Sequence, residues 1–375
     1  MKVLHLIKTV YAGGAELHLL TLCQQLKHQG MEIVVAYLQD PIEWGSRPLH
    51  GAFEQAGIRI VNLHTDALYD TQVVRRLVSL LKEERPDIFH THLPRADFAG
   101  AIVNLIGPSV PWVCSVHSIY STRWSGRWTL PLCRLVWRRA DAVIAISHAV
   151  KDWLVQGMLL PTERVTVIHY GIEPSRFAQP NSYHDGNSVL TSGTVVGSAG
   201  RLEPSKGYDC LIRAMPAILQ EIPTASLLIA GNDPHGYGRT LQALIGELRL
   251  DAHVQLVGFQ DDVPLFLNSV GVFAFASRVE GFGQVIVEAM AAAKPVVASR
   301  IAPITEIVLD DQTGLLAEPG NPQSFADAIT WLLRHSEAAR DMGKLGQTRV
   351  QNYFSAERMA AETLLLYQKL ARAGD

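Results

Sequence analysis

Short apolar runs bounded by turn residues recur along this chain, and segments with helical spacing separate them. Val3–Ile7, Glu32–Leu38, Arg59–Leu63, Asp87–His90, Trp112–Val116, Ala142–Ser147 and Val165–Ile168 read as strands. Ala15–Gln29 (closed by Gly30), the segment around Leu49–Ala56, Gln72–Glu84 (stopped by Pro86) and Ala96–Ile106 read as helices between them. This rhythm implies a parallel sheet, because parallel neighbours need a crossover and the crossover helices cover both faces. The stretch Ala178–Thr194, AQPNSYHDGNSVLTSGT, is polar and rich in turn formers, which marks an interdomain linker. The rhythm then repeats with Val195–Ala199, Ser226–Ala230, His253–Val257, Val272–Ala276 and Pro295–Ala298, and Leu315–Ala317 adds a short strand. Helices Gln323–Arg334, Glu337–Tyr353 and Ala356–Ala371 complete the chain. The expected class is α/β, with two doubly wound parallel-sheet domains facing across a cleft.

In such sheets ligands bind at the carboxyl ends of the strands, so polar residues there carry the functional signal. Glu280-Gly-Phe-Gly-Gln-Val-Ile-Val-Glu288 follows the apolar run Gly271–Ala276 and leads into an Ala-rich helix ending at Lys294. One carboxylate sits on a loop whose glycines permit close approach; the other projects from the helix. Both suit sugar hydroxyls, which donate to carboxylates strongly, while free N–H groups at the helix start favour an anion. After Val195–Ala199 comes Gly200-Arg201-Leu-Glu-Pro-Ser-Lys206-Gly207, whose two cations can converge on one diphosphate. Solvated surface charges are an equally good reading of this pair taken alone. Gly13-Gly14-Ala15-Glu16 opens a helix after the first strand; a plain tight turn explains it as well, and Leu17 breaks the dinucleotide fingerprint. His117 and His92 follow strands and could donate to a substrate oxygen, although with 14 histidines most must be ordinary. His90-Thr-His92 lacks a companion ligand cluster at typical spacing, so no metal site is read there.

Composition narrows the function classes. The 375 residues suit two domains, and 48% hydrophobic with 18% charged residues describes a packed globular protein. A net charge of −3 gives no reason to expect nucleic acid. Cys23, Cys114, Cys133 and Cys210 are scattered without a CxxC pair, which suits a reduced, cytoplasmic protein. No apolar run approaches the roughly 18 residues of a membrane span, and the chain starts on a strand pattern rather than a signal peptide.

Taken together, Gly13-Gly14-Ala15-Glu16, Gly200-Arg201-Leu202 with Lys206-Gly207, and Glu280-Gly-Phe-Gly with Glu288 resemble the retaining glycosyltransferases of family 4. The resemblance implies the GT-B fold of two Rossmann-like domains. Residues 1–180 would bind the acceptor and 195–355 the nucleotide sugar, with 356–375 a helix packing back on the N-terminal domain. It implies that Arg201 and Lys206 stabilise the departing diphosphate in place of a metal, that Glu280 holds donor-sugar hydroxyls, and that Glu288 binds the ribose. Backbone at Gly283, Gln284 and Val285 would meet phosphates or sugar, Gly14 would line the diphosphate and acceptor side, and His117 would contact the donor sugar. Gly258-Phe259 would lie near the base. The expected donor is a UDP- or GDP-sugar acting as co-substrate, with no other cofactor and no metal. The expected acceptor is a glycan or a lipid-linked glycan, attacked on the face the diphosphate leaves. One departure stands out: where the family often has Gly-Gly-x-x-Glu, this chain has Arg300-Ile301-Ala302-Pro303-Ile304-Thr305-Glu306, a stiffer and bulkier loop.

Tyr120–Arg139 interleaves Arg123, Arg127, Arg134, Arg138 and Arg139 with Trp124, Trp128 and Trp137. Such a mixture suits peripheral contact with an anionic membrane, or equally a helix packing its tryptophans inward. Two other functions stay open on the same scaffold. A sugar-nucleotide epimerase would need a cleft acid/base pair, and no motif for one is present. A non-catalytic sugar-nucleotide binder would not need the full Arg201, Lys206, Glu280 and Glu288 set.

Overall fold

The computed structural model describes residues 1–40, 47–65, 71–120, 129–177 and 194–373. The chain forms two compact units, Met1–Gly171 with the C-terminal segment from Ala356, and Ile172–Ser355. The proposed linker falls mostly at 178–193, outside the described residues.

In the first unit the elements run β1 (Lys2–Ile7), α1 (Gly14–His28), β2 (Glu32–Tyr37), α2 (His50–Gln55), β3 (Arg59–Asn62), α3 (Thr71–Glu84), β4 (Ile88–His92), α4 (Pro94–Ile106), β5 (Trp112–Val116), α5 (Thr129–Trp137), β6 (Ala142–Ala145), α6 (His148–Asp152) and β7 (Val165–Val167). The seven strands are parallel in the order β3-β2-β1-β4-β5-β6-β7. Their near-continuous burial follows from helices on both faces. The last helix of the chain, Ala356–Ala373, packs against α1, and its Tyr367 is fully buried in the core of this unit.

The second unit runs β8 (Val195–Ala199), α7 (Tyr208–Glu221), β9 (Ser226–Ala230), α8 (Gly238–Glu247), β10 (Val254–Gly258), α9 (Val263–Asn268), β11 (Val272–Phe275), α10 (Gln284–Ala291), β12 (Val296–Ser299), α11 (Ala302–Thr305), β13 (Leu315–Ala317), α12 (Pro322–Arg334) and α13 (Ser336–Tyr353). The last helix of the chain is therefore α14. The six strands are parallel in the order β10-β9-β8-β11-β12-β13. In each sheet the order reverses once, between β1 and β4 and between β8 and β11, and the loops leaving those strands are the expected ligand positions. Both sheets match the expected α/β class.

Three local departures from the sequence reading have physical causes. β4 does not stop at His90 but continues to His92, so His92 is a strand residue and not a loop residue. His90 and His92 therefore point to the same face of the sheet, and both are fully buried. Trp137 packs inward: it is buried, stacks on Tyr120, meets Trp153 edge-on, and donates its Nε1–H to Asp97 at 2.8 Å. This removes Trp137 from any membrane face; Arg123, Trp124, Arg127 and Trp128 lie outside the described residues. The bulky loop at 301–306 forms the short helix α11 with Pro303 in its first turn, and Arg349 of α13 holds it by donating to the carbonyls of Glu306 and Ile307 at 2.8 Å.

Close helix contact in the second unit depends on Gly343 of α13. A Cβ there would lie 2.1 Å from the Ala293 carbonyl oxygen, which belongs to backbone just after α10. Ala is the better helix former by about 1 kcal/mol, but forcing backbone apart in a packed interior costs about 1–3 kcal/mol. We expect Gly343→Ala to lower the melting temperature in calorimetry, against the propensity trend.

Candidate functional site

The loop after β8 and the loop after β11 meet at the switch point of the second sheet. Gly207, in the left-handed region at φ 68°, is the N-cap of α7, and a Cβ on it would fall 2.0 Å from the Ala276 carbonyl oxygen. Only glycine permits this approach. It carries Lys206 to the Glu280 carboxylate, where Nζ donates to Oε2 at 2.6 Å; both side chains are mostly shielded from solvent. Glu280 also accepts the Gly281 backbone N–H through Oε1 at 3.1 Å. Ser277 Oγ, fully buried, bonds the Ser205 carbonyl at 3.2 Å and ties the two loops again.

Arg278, which the sequence reading did not single out, performs the same task on the outer side. It donates two parallel bonds to Asp209 at 2.9 and 2.7 Å and a third to the Pro204 carbonyl at 2.6 Å. The fork-to-fork pairing raises its guanidinium pKa further. No signal in the sequence distinguishes Arg278 and Asp209 from surface charges, because they lie 69 residues apart. Arg201 projects into solvent and pairs with the buried carboxylate of Glu203 at 3.0 Å.

Gly283, at φ 104°, caps the start of α10 and turns Gln284 and Val285 into its first turn. Gln284 Nε2 donates to Glu288 Oε1 at 3.0 Å, one helical turn on. Burial pushes the Glu288 carboxyl up to about 7; the Gln284 bond and the Arg176 charge offset this only in part. Three buried polar atoms on these loops have no hydrogen-bond partner: Glu203 Oε1, Tyr208 Oη and Gln284 Oε1. Glu203 Oε1 lies near the Arg201 guanidinium without an aligned bond. Orphaned buried atoms are rare in packed interiors, and these three could be satisfied by a polar ligand.

In the first unit, Gly14 opens α1 with Gly13 as its N-cap, at the carboxyl end of β1. His117 follows β5 directly, but both its ring nitrogens are engaged: Nε2 with His92 Nδ1 at 3.2 Å and Nδ1 with the Tyr170 hydroxyl. A sugar contact through either nitrogen therefore requires a partner to give way or to be shared. His92 is a core residue bonded to His117 and His5, which corrects the expectation that it donates to substrate. His5, 87 positions from His92, supplies the companion ligand that the sequence reading lacked, since His5, His90 and His92 offer nitrogens within 4.8 Å of one another. Both nitrogens of His90 and of His92 already have protein partners; those of His90 are Tyr367 and Ser115. His5 and His92 are thus bonded to each other, His90 has its own partners, and His5 Nε2 is left without one.

Known proteins resemble this chain along most of its length. Residues 184–349 match the model of the glycosyl transferases group 1, and residues 12–176 match that of glycosyltransferase family 4. The chain superposes on the HepE protein of Anabaena, solved with UDP and glucose, with a TM-score of 0.87 at 25% identity, covering 98% of this chain and all of that one. This chain is a glycosyltransferase of the GT-B fold. It is 25% identical to an uncharacterized glycosyltransferase of Methanocaldococcus jannaschii over 96% of both chains. It is also 25% identical to the capsular polysaccharide biosynthesis glycosyltransferase CapM of Staphylococcus aureus, over 82% of this chain and 83% of that one.

The raised Glu288 pKa has a definite sign. An acid whose folded pKa lies above its unfolded one stabilises the fold fully below the unfolded value, near 4.5, and loses that contribution as pH rises through about 7. We expect the melting temperature of Glu288→Gln, relative to the unaltered enzyme, to climb between pH 5 and pH 8. A flat difference would place the carboxyl in an ordinary environment.

Proposed function

We propose that this glycosyltransferase moves a hexose-type sugar from a UDP- or GDP-sugar to a glycan or lipid-linked acceptor, with retention and without a metal, in cell-surface polysaccharide or glycolipid synthesis. The observation that carries the reading is the Lys206–Glu280 pair, an ammonium and a carboxylate 2.6 Å apart on two loops at the switch point of the second sheet. Those two charges suit the two ends of a sugar diphosphate. On binding, Lys206 would turn to the diphosphate with Arg201, and Glu280 would accept sugar hydroxyls. The HepE complex with UDP and glucose and the capsular role in the name of CapM support the donor class and the pathway.

In the reaction, the bond from the anomeric carbon to the diphosphate oxygen breaks and a bond to the acceptor oxygen forms on the same face. The acceptor proton passes to the departing phosphate oxygen. Negative charge accumulates on the diphosphate, where Arg201, Lys206 and the N-terminus of α10 at Gly283 hold positive potential in advance. Glu288, beside Arg176 and Gln284, would accept from the ribose hydroxyls. Neither an epimerase nor a simple binder is favoured by any contact in the two loops.

Peripheral membrane contact belongs to the same proposal, with the reaction in the cytoplasm. Among the described residues no helix is long and apolar enough to cross a membrane. The support for surface contact comes from α4 and α5, which expose Ile102, Leu105, Ile106, Leu132 and Leu135, with exposed Arg138 and Arg139 directly after α5. Apolar side chains beside cations suit an anionic interface.

Removing one preorganised charge from a leaving-group site costs about 10²–10³ in kcat. We expect Arg201→Ala and Lys206→Ala each to lose activity on that scale, measured as acceptor-dependent release of nucleoside diphosphate, with melting temperatures near the unaltered enzyme. Near-normal rates in both would remove the leaving-group role. Isomerised donor would indicate an epimerase, and no release at all a binder. In liposome co-sedimentation at low salt we expect binding to anionic but not to neutral vesicles; failure to bind anionic vesicles ends the membrane reading.

A further inference from the structure

The buried imidazoles of the first unit form one hydrogen-bonded row. His5 Nδ1 faces His92 Nε2 at 3.0 Å, His92 Nδ1 faces His117 Nε2 at 3.2 Å, and His117 Nδ1 meets the Tyr170 hydroxyl. His90 stands beside this row with its own partners, Tyr367 and Ser115, and His18 stacks on Tyr170 with ring centroids 4.1 Å apart. Burial drives His5, His92 and His117 well below the ordinary histidine range, so each is neutral and carries one N–H and one lone pair. Each nitrogen-to-nitrogen junction then needs a single proton. Two arrangements meet that demand: every proton on Nδ1, with donation running outward from His5 to Tyr170, or every proton on Nε2, with donation running inward.

The inner end distinguishes them. His5 Nε2 is buried and has no partner. Inward donation would leave an N–H orphaned at that nitrogen, whereas outward donation leaves a lone pair. Buried donors without an acceptor are the rarer defect. We propose that His5 and His92 are positioning residues that set His117 in its Nδ1–H tautomer, so that His117 donates at the Tyr170 end of the row. An oxygen of the donor that displaces or joins the Tyr170 hydroxyl would accept a hydrogen bond from Nδ1–H there, with no proton transferred, and His117 would not act as a base at that nitrogen. The catalytic consequence rests on the reading that His117 contacts the donor; the tautomer does not.

The test uses the full chain with isotope-labelled histidine. Proton–nitrogen correlation spectra, assigned with His5→Gln and His117→Gln, should show His117 protonated at Nδ1 and bare at Nε2; protonation at Nε2 overturns the proposal. His92→Leu removes the N–H that holds His117 Nε2. Because an imidazole in the wrong tautomer is a poor catalyst, kcat should fall at least about tenfold with little change in donor KM. His92→Gln, whose amide can donate to the same nitrogen, should restore most of it. Unchanged kcat in His92→Leu, or an equal loss in both variants, overturns the positioning role. His117→Ala separates the two readings: full activity in that variant ends the donor contact and its catalytic consequence, while the spectra still decide the tautomer.

Discussion

A parallel strand buried on both faces has no solvent side. That constraint governs both units of this enzyme. Polar chemistry is pushed to the strand ends, where chain reversal frees the backbone from the ladder, and the order reversal of each sheet places the loops of two neighbouring strands at one ligand position. The site loops of the second unit follow directly: β8 and β11 are neighbours, so the residues leaving them must meet. Lys206 and Glu280 are 74 positions apart in sequence and in contact because of it.

The first unit bends the same rule. His5, His90 and His92 sit within β1 and β4, where apolar residues would be the default. A buried polar side chain is tolerable when its hydrogen bonds are met, and both nitrogens of His90, His92 and His117 have partners, with His5 Nε2 the exception. The inner strand positions of a doubly wound sheet thus carry polar information from the core to the strand ends. Asp97 shows the other way of keeping a polar group inside: two donors, Thr91 and Trp137, hold its carboxyl, and burial pushes it up to about 7.

Much of this was legible in the chain itself, for reasons that can be named. Strand period, terminal glycines and stopping prolines are local signals, and they placed nearly every strand within a residue or two. The Glu280–Glu288 element was legible because the strand, the loop glycines and the helix start lie in one stretch. What stayed hidden was non-local. The length of β4 depended on pairing with β1 and β5 as far as Thr91 and His92, which no short window reveals. His5 looked like an ordinary strand residue until β4 lay beside it. Trp137 stayed undecided between interface and interior because an arginine-rich neighbourhood says nothing about the inward direction of one side chain, which Asp97, 40 positions away, decides.

The contact between Gly207 and the Ala276 carbonyl has a consequence for how such enzymes diversify. Two loops that touch through backbone, and are tied again by Ser277 and Arg278, behave as one inherited part. A shift of Lys206 in the first loop is transmitted to the Glu280 carboxylate in the second. Exchanging one loop without the other would break the Gly207 contact and these ties, so the two segments move between relatives only as a matched pair, with the sheet beneath them as the fixed socket.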